Sequence, residues 1–230
     1  MSIRHQFLAL LGTAIFTGPV FAAAPDKAPA DPAAYVSVID NPWFPLTPGT
    51  TLVYKGKKDE KRADREFEVM AETRIIGGVT CLIAEDRVTL GGKPAEKTIG
   101  YYAQDKDGNV WTFGEESQEL DKKGNVKKTE GWLTGVDGAV PGLLMEAAPA
   151  VGDGYTHATS GSRAEVLKLT ATVEVPYGSF KDALQIKDWN PAEPDTLSHK
   201  FYLRGVGEVR DVEVKEGSED LKLVEIKTGG

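Results

Sequence analysis

The clearest signal along the chain is a period of two. Phe67, Val69, Ala71 and Ile75 alternate with Glu66, Glu68, Met70, Glu72 and Arg74. Leu167, Leu169, Ala171, Val173 and Val175 alternate with Lys168, Thr170, Thr172 and Glu174. Successive side chains of a strand point to opposite faces, so this spacing predicts strands with one face inward and one in water. Continuous apolar strands, the mark of parallel sheets covered on both faces, are missing. So is any sustained period of 3.6 residues. The best helical segment is Leu143-Leu144-Met145-Glu146-Ala147, after Pro141-Gly142. The chain is therefore expected to hold at most a short helix near 141–148.

Turn signals recur between these segments: Gly77-Gly78, Gly91-Gly92, Asp107-Gly108-Asn109, Lys123-Gly124-Asn125 and Gly217-Ser218. They predict an antiparallel meander of about ten to twelve strands. The expected fold class is all-β, mainly antiparallel, as a curved meander sheet or half-barrel. Two turns look alike, Asp105-Lys106-Asp107-Gly108-Asn109-Val110 and Asp121-Lys122-Lys123-Gly124-Asn125-Val126. They are read as the same hairpin chemistry rather than a domain repeat, because the flanking strands differ. The Pro/Gly-rich stretch 135–154 is a candidate divide between two sub-sheets. One continuous domain over 35–230 is favoured, because either half alone would bury little surface. In Asp40-Asn41-Pro42-Trp43-Phe44-Pro45-Leu46-Thr47-Pro48-Gly49-Thr50 three prolines forbid helix. Its adjacent aromatics predict an extended segment lying on the body.

The first residues follow a different pattern. Arg4 and His5 precede a run from Phe7 to Phe21 without charge, and Val20-Phe21-Ala22 supplies a small-residue cleavage motif. That order predicts a signal peptide over 1–22. An Ala/Pro-rich linker over 23–34, expected to be mobile, follows it. A spanning helix needs about 20 apolar residues, and Gly18-Pro19 interrupts this run. The expected address is periplasmic or secreted, with no transmembrane span in the mature form.

Charge narrows the possible partners. The formal net charge is −8, with no long basic block. Neutralising phosphates takes a basic face, so nucleic acid is an unexpected partner, as is an anionic lipid surface. Cys81 is the one cysteine, so no internal disulfide forms. Its setting, Val79-Thr80-Cys81-Leu82-Ile83, predicts a buried thiol acting as a small hydrophobe.

Candidate chemistry is thin. Asp105, Asp107 and Asn109 place oxygen ligands around Gly108 as calcium loops do. An EF-hand register would put Ala103 and Gly114 where ligands belong, so a hairpin turn is the stronger reading. His157 and His199 could share a metal only if Cys81 joined them across the fold, and no metal site is expected. Gly178-Ser179-Phe180 and Gly161-Ser162-Arg163 do not match a nucleophile elbow, and Thr159-Ser160-Gly161-Ser162 near His157 is read as a polar loop. Acid pairs such as Glu115-Glu116 and Glu219-Asp220 lie beside turns. The glycines sit between strands rather than before helices, so no phosphate-cradling loop is read and no cofactor is expected. Trp43, Trp111, Trp132 and Trp189, with Phe44, Tyr101 and Tyr102, form either core or an aromatic-lined concavity.

The stretches Asn41-Pro42-Trp43-Phe44-Pro45-Leu46-Thr47-Pro48-Gly49-Thr50, Tyr101-Tyr102-Ala103-Gln104-Asp105-Lys106-Asp107-Gly108-Asn109-Val110-Trp111, Val175-Pro176-Tyr177-Gly178-Ser179-Phe180 and Phe201-Tyr202-Leu203-Arg204-Gly205-Val206-Gly207 resemble those of a family of uncharacterised exported bacterial β-rich proteins. The resemblance implies a curved sheet or half-barrel like that of periplasmic lipoprotein carriers. It brings no activity and no catalytic residues.

The expected function is binding rather than catalysis. The chain is read as an exported protein holding a small apolar or lipid-like molecule, or a protein partner, on a curved sheet. The alternatives are a calcium-stabilised surface or assembly module and a hydrolase with an unrecognised site, where His157 or His199 would meet a carboxylate and a hydroxyl.

Overall fold

The computed structural model describes residues 27–157, 161–193, 195–215 and 217–229. The expected signal peptide lies outside them. The strands are β1 (Tyr35–Val36), β2 (Thr50–Lys58), β3 (Lys61–Ile76), β4 (Val79–Leu90), β5 (Lys93–Asp105), β6 (Val110–Leu120) and β7 (Val126–Leu133). They continue as β8 (Gly142–Met145), β9 (Gly154–His157), β10 (Ser162–Val175), β11 (Gly178–Trp189), β12 (Leu197–Leu203), β13 (Gly207–Lys215) and β14 (Asp220–Thr228). All fourteen join one antiparallel sheet in the order β7-β6-β5-β4-β3-β2-β14-β13-β12-β11-β10-β9, with β1 beside β5 and β8 beside β6. The all-β, antiparallel expectation holds, and the sheet is curved and open. The strands beyond the expected count are short: β1, β8 and β9.

The best helical segment is a correction. Gly142–Met145 is strand β8, with Val110, Trp111 and Thr112 of β6 opposite Met145, Leu143 and Gly142. Gly142, Leu143 and Met145 are buried, and backbone groups at a sheet edge gain partners there that an isolated turn of helix would not supply. The one helical piece among the described residues is a 3-10 turn, Pro32–Ala34, capped by Asp31.

The two alternating segments are broken by bulges. β3 slips register against β4 between Val69 and Thr73. Phe67 and Val69 are buried as expected, but Ile75 is exposed and Ile76 takes the inward position. β10 slips twice between Val166 and Ala171 against β11. Ala164 and Val166 are buried before the slip and Ala171, Val173 and Val175 after it, while Leu169 lies outside. A bulge adds one residue to one strand, so the inward set changes parity across it.

The predicted turns all fall between strands. Gly77-Gly78 and Gly91-Gly92 carry positive φ at both residues, the conformation of tight hairpin turns that glycine adopts without strain. Asp105 and Asp121 play identical parts. Asp121 Oδ1 accepts from the backbone N–H of Lys123 and Asn125, and Asp105 Oδ1 accepts from those of Asp107 and Asn109.

The sheet curls tightly enough for distant strands to touch across its concave side. Arg65 of β3 reaches Glu208 of β13 at 2.7 Å although β2 and β14 lie between them. The edge strand β9 also reaches β8, the short strand beside β6. Tyr155 Oη of β9 donates to the Leu144 carbonyl of β8 at 3.2 Å, and His157 Nδ1 lies 2.9 Å from the Leu143 carbonyl. The seam is thus made by side chains rather than by a ladder. The Pro-rich segment plugs one end. Phe44 inserts towards Phe67 and Tyr102, with ring centroids 6.3 and 5.8 Å away. Asn41 fixes the segment, donating to the Gly108 and Glu146 carbonyls and accepting from the N–H of Trp43 and Phe44. The convex face carries ion pairs instead, among them Arg87–Glu68 at 2.7 Å, Lys97–Glu85 at 2.8 Å and Lys227–Glu66 at 3.0 Å.

Of the expected 23–34 linker, the described part lies on the body. Ala28 packs against the core, and Tyr35 Oη donates to the Pro29 carbonyl at 3.0 Å.

Candidate functional site on the concave face

Register places the inward residues strand by strand. Tyr54 stands opposite Arg65, Phe67 opposite Asp86, Leu82 opposite Tyr102, and Gly100 opposite Glu115. On the other half, Asp188 stands opposite Ser198, Ile186 opposite Lys200, Lys200 opposite Asp211, and Tyr202 opposite Glu208. Cross-strand partners share a face. The concavity therefore gathers Tyr54, Arg65, Asp86, Tyr102, Asp188, Lys200, Tyr202, Glu208 and Asp211 among apolar neighbours such as Phe67, Leu82 and Ile186.

Arg65 anchors one part of this cluster. Its Nε and Nη2 both reach Asp86 Oδ2, at 2.7 and 2.6 Å. Nη1 reaches Glu208 Oε1 at 2.7 Å, and the guanidinium lies 5.0 Å from the centre of the Tyr54 ring. Tyr54 Oη donates to the Glu208 carbonyl at 2.9 Å. Lys200 anchors the other part more loosely. Its Nζ stands 3.9 Å from Asp188 and 3.8 Å from Asp211, ion-pair distances too long for direct hydrogen bonds. His157 completes it, with Nε2 3.0 Å from Asp188 Oδ2. A carbonyl and a carboxylate both only accept, so His157 makes both bonds only when both ring nitrogens carry a proton.

Enclosure shapes the electrostatics. Burial pushes the phenols of Tyr54, Tyr102, Tyr155 and Tyr202 up from their ordinary value, so they remain neutral donors. Burial also raises Asp211, to about 6, against the opposing pull of Lys200. Asp188 goes the other way. Burial would raise it, but Lys200 and His157 outweigh that and bring it to about 2. Asp188 raises the Lys200 ammonium well above its usual value, against the cost of burial. The cluster is nonetheless reached by solvent: the side chains of Lys200 and Asp188 keep 28% and 22% of their accessible surface.

The end opposite the plug is open. A cavity of about 640 Å³ lies there, lined in part by Lys58, Lys61, Leu90, Glu96, Glu119 and Lys127. Lys58 stands between Glu96 at 3.3 Å and Glu219 at 3.4 Å. Lys58 and Tyr54 lie on one face of β2, as Glu96 and Tyr102 do on β5, so the inward rows of both strands run from this mouth towards the cluster.

The residues singled out in the sequence are mostly elsewhere. Asp105 is buried and accepts from Asp107 N, Asn109 N, Asn109 Nδ2 and, at 2.8 Å, Trp111 Nε1. Both of its oxygens face N–H donors rather than a cation. Cys81 is buried, its thiol pushed up to about 12 by burial. His199 meets Gln185 at 3.1 Å on the convex side, away from His157. Trp43 and Trp111 are core, whereas Trp132 and Trp189 are half-buried. Thr159 and Ser160 lie outside the described residues. Sequence reasoning missed Arg65, Lys200, Glu208 and Asp211. The signal for Arg65 was present: counting back by two from Phe67 reaches it.

No family model matches the chain, and no curated protein matches it. Among solved structures, the crystal structure of a "putative lipoprotein" from Parabacteroides distasonis aligns with 80% of this chain and 97% of its own, at 14% identity and a TM-score of 0.44. A superposition this loose carries no argument about function. No helix among the described residues is long and apolar enough to cross a membrane.

Proposed function

We propose that this chain is an exported binding protein that holds a small molecule on the concave face of its curled sheet. The observation that carries the reading is the placement of Arg65, Lys200 and their carboxylate partners inside the curl, where solvent still reaches them. Enclosed ion pairs seldom repay their desolvation when compared with apolar packing of the same volume. A sheet that only needed a core would fill this space with aliphatic side chains. Export rests on the charge pattern and small-residue motif of residues 1–22. The plug at Phe44 and the open mouth at Lys58 and Glu96 make the concavity a one-ended vessel, which suits retention rather than passage.

Native mass spectrometry of the purified mature protein, after incubation with cell and membrane extracts, tests this. The expected result is a retained small molecule at one per chain, with occupancy altered in Lys200→Met and unchanged in Lys222→Gln. Absence of any retained species in the intact protein would overturn the reading.

A further inference from the structure

We infer that the concave cluster takes a small organic cation bearing an ammonium group. The inference rests on the concave-face reading above and adds the ligand's chemistry. Acceptors outnumber donors in the cluster. Among the described residues, Asp86, Asp188, Glu208 and Asp211 face the cations Arg65 and Lys200, with the His157 ring on Asp188. Glu115, opposite Gly100 and exposed to solvent, adds another carboxylate on the same face.

Two acceptors are left over in particular. Asp86 Oδ1 and Asp211 Oδ1 are both shielded and have no hydrogen-bond partner among the described residues. Arg65 spends both of its nearest N–H groups on the other oxygen of Asp86. Lys200 stands back from Asp211 at 3.8 Å. Asp211, largely enclosed, is destabilised as a carboxylate by burial and by the nearby Glu208, against the pull of Lys200. A shielded acceptor without a donor costs free energy that a ligand N–H recovers on binding.

The surroundings select among donors. No three His, Cys, Asp or Glu among the described residues converge as a metal ion requires. An ammonium group on a carbon chain instead reaches acceptors spaced further apart. It also gains from ring faces, and Tyr54, Tyr102 and Tyr202 line the same wall. An anion or an apolar chain would leave both orphaned oxygens unmet.

Isothermal titration of the mature protein with 1,5-diaminopentane, hexanoate and 1-pentanol separates the possibilities. The expected result is saturable binding of the diamine alone, weakened at least tenfold in Asp211→Asn and in Asp86→Asn, each checked for folding by circular dichroism. Lys222→Gln, on the convex face, should leave it unchanged. Diamine binding undiminished in both folded variants would overturn the inference. So would binding of hexanoate or pentanol in place of the diamine, which would leave the concave-face reading standing. No binding of any probe, with no retained molecule by mass spectrometry, would sink both.

Discussion

His157 Nε2 lies 3.0 Å from Asp188 Oδ2, and the contact ties the edge strand β9 to β11 across β10. With His157 Nδ1 on the Leu143 carbonyl, a single imidazole links β8 and β9 to the charged interior. Asp188 is held at about 2, with Lys200 and His157 outweighing burial. A carboxylate lowered by folding contributes stability above its unfolded value, and that contribution is lost as pH falls through the folded one. Asp188→Asn should therefore cost on the order of 2 kcal/mol at pH 7. Urea melts should show the difference from wild type shrinking between about pH 4 and pH 2. A difference unchanged over that window would rule out the ion pair as its source.

Glu146 has the opposite sign. It is buried, and burial followed by repulsion from Asp153 raises it to about 8. An acid raised by folding contributes stability that is full below its unfolded value and is lost as pH rises through the folded one. The melting temperature should fall between about pH 5 and pH 9. Glu146→Gln keeps the shape and donates to Asp153 without ionising, so it should flatten that slope and stabilise the protein at pH 9 by a few kcal/mol. Parallel slopes for the two proteins in calorimetry would refute this.

The twin turns make a matched pair of tests. Asp105→Ala strands the buried Trp111 Nε1–H and the hairpin N–H groups, and should cost about 3 kcal/mol. Asp121→Ala removes the same local bonds at an exposed turn, where water replaces them, and should cost clearly less. Because N–H donors already occupy the Asp105 carboxylate, calcium or chelator should leave the melting temperature unchanged. A shift of several degrees with calcium would revive the calcium-stabilised module.

Cys81 should be silent in the folded protein. Its thiol is enclosed and pushed up to about 12, so almost no thiolate exists at pH 8. Ellman's reagent should react only as fast as the chain opens, and at full stoichiometry in denaturant. Rapid labelling of native protein would contradict the burial.

Much of the fold was legible in the sequence because alternation and turn chemistry are local. Gly77-Gly78, Gly91-Gly92 and the Asp-x-x-Gly-Asn turns announce hairpins wherever they stand. The bulges were not legible. Nothing around Thr73 or Lys168 marks an extra residue in the sequence, so Ile75 and Leu169 looked inward by counting alone. β8 was hidden for a similar reason, since its partners lie on β6, a long way back along the chain. The site was the least legible part. Arg65 and Lys200 look like ordinary polar positions until curvature brings β3 against β13, and curvature is a property of the whole sheet.

The strand order has a kinetic consequence. From β2 to β7, and again from β9 to β14, each strand pairs with its neighbour in sequence. The ladder from Thr50–Lys58 to Asp220–Thr228 joins the two runs, pairing nearly the first strand with the last. Each run is a local meander of low contact order, which closes quickly, while the joining ladder pays the loop-closure entropy of most of the chain. Folding should therefore be limited by the docking of two half-sheets along β2 and β14, and Arg65 meets Glu208 only at that last step.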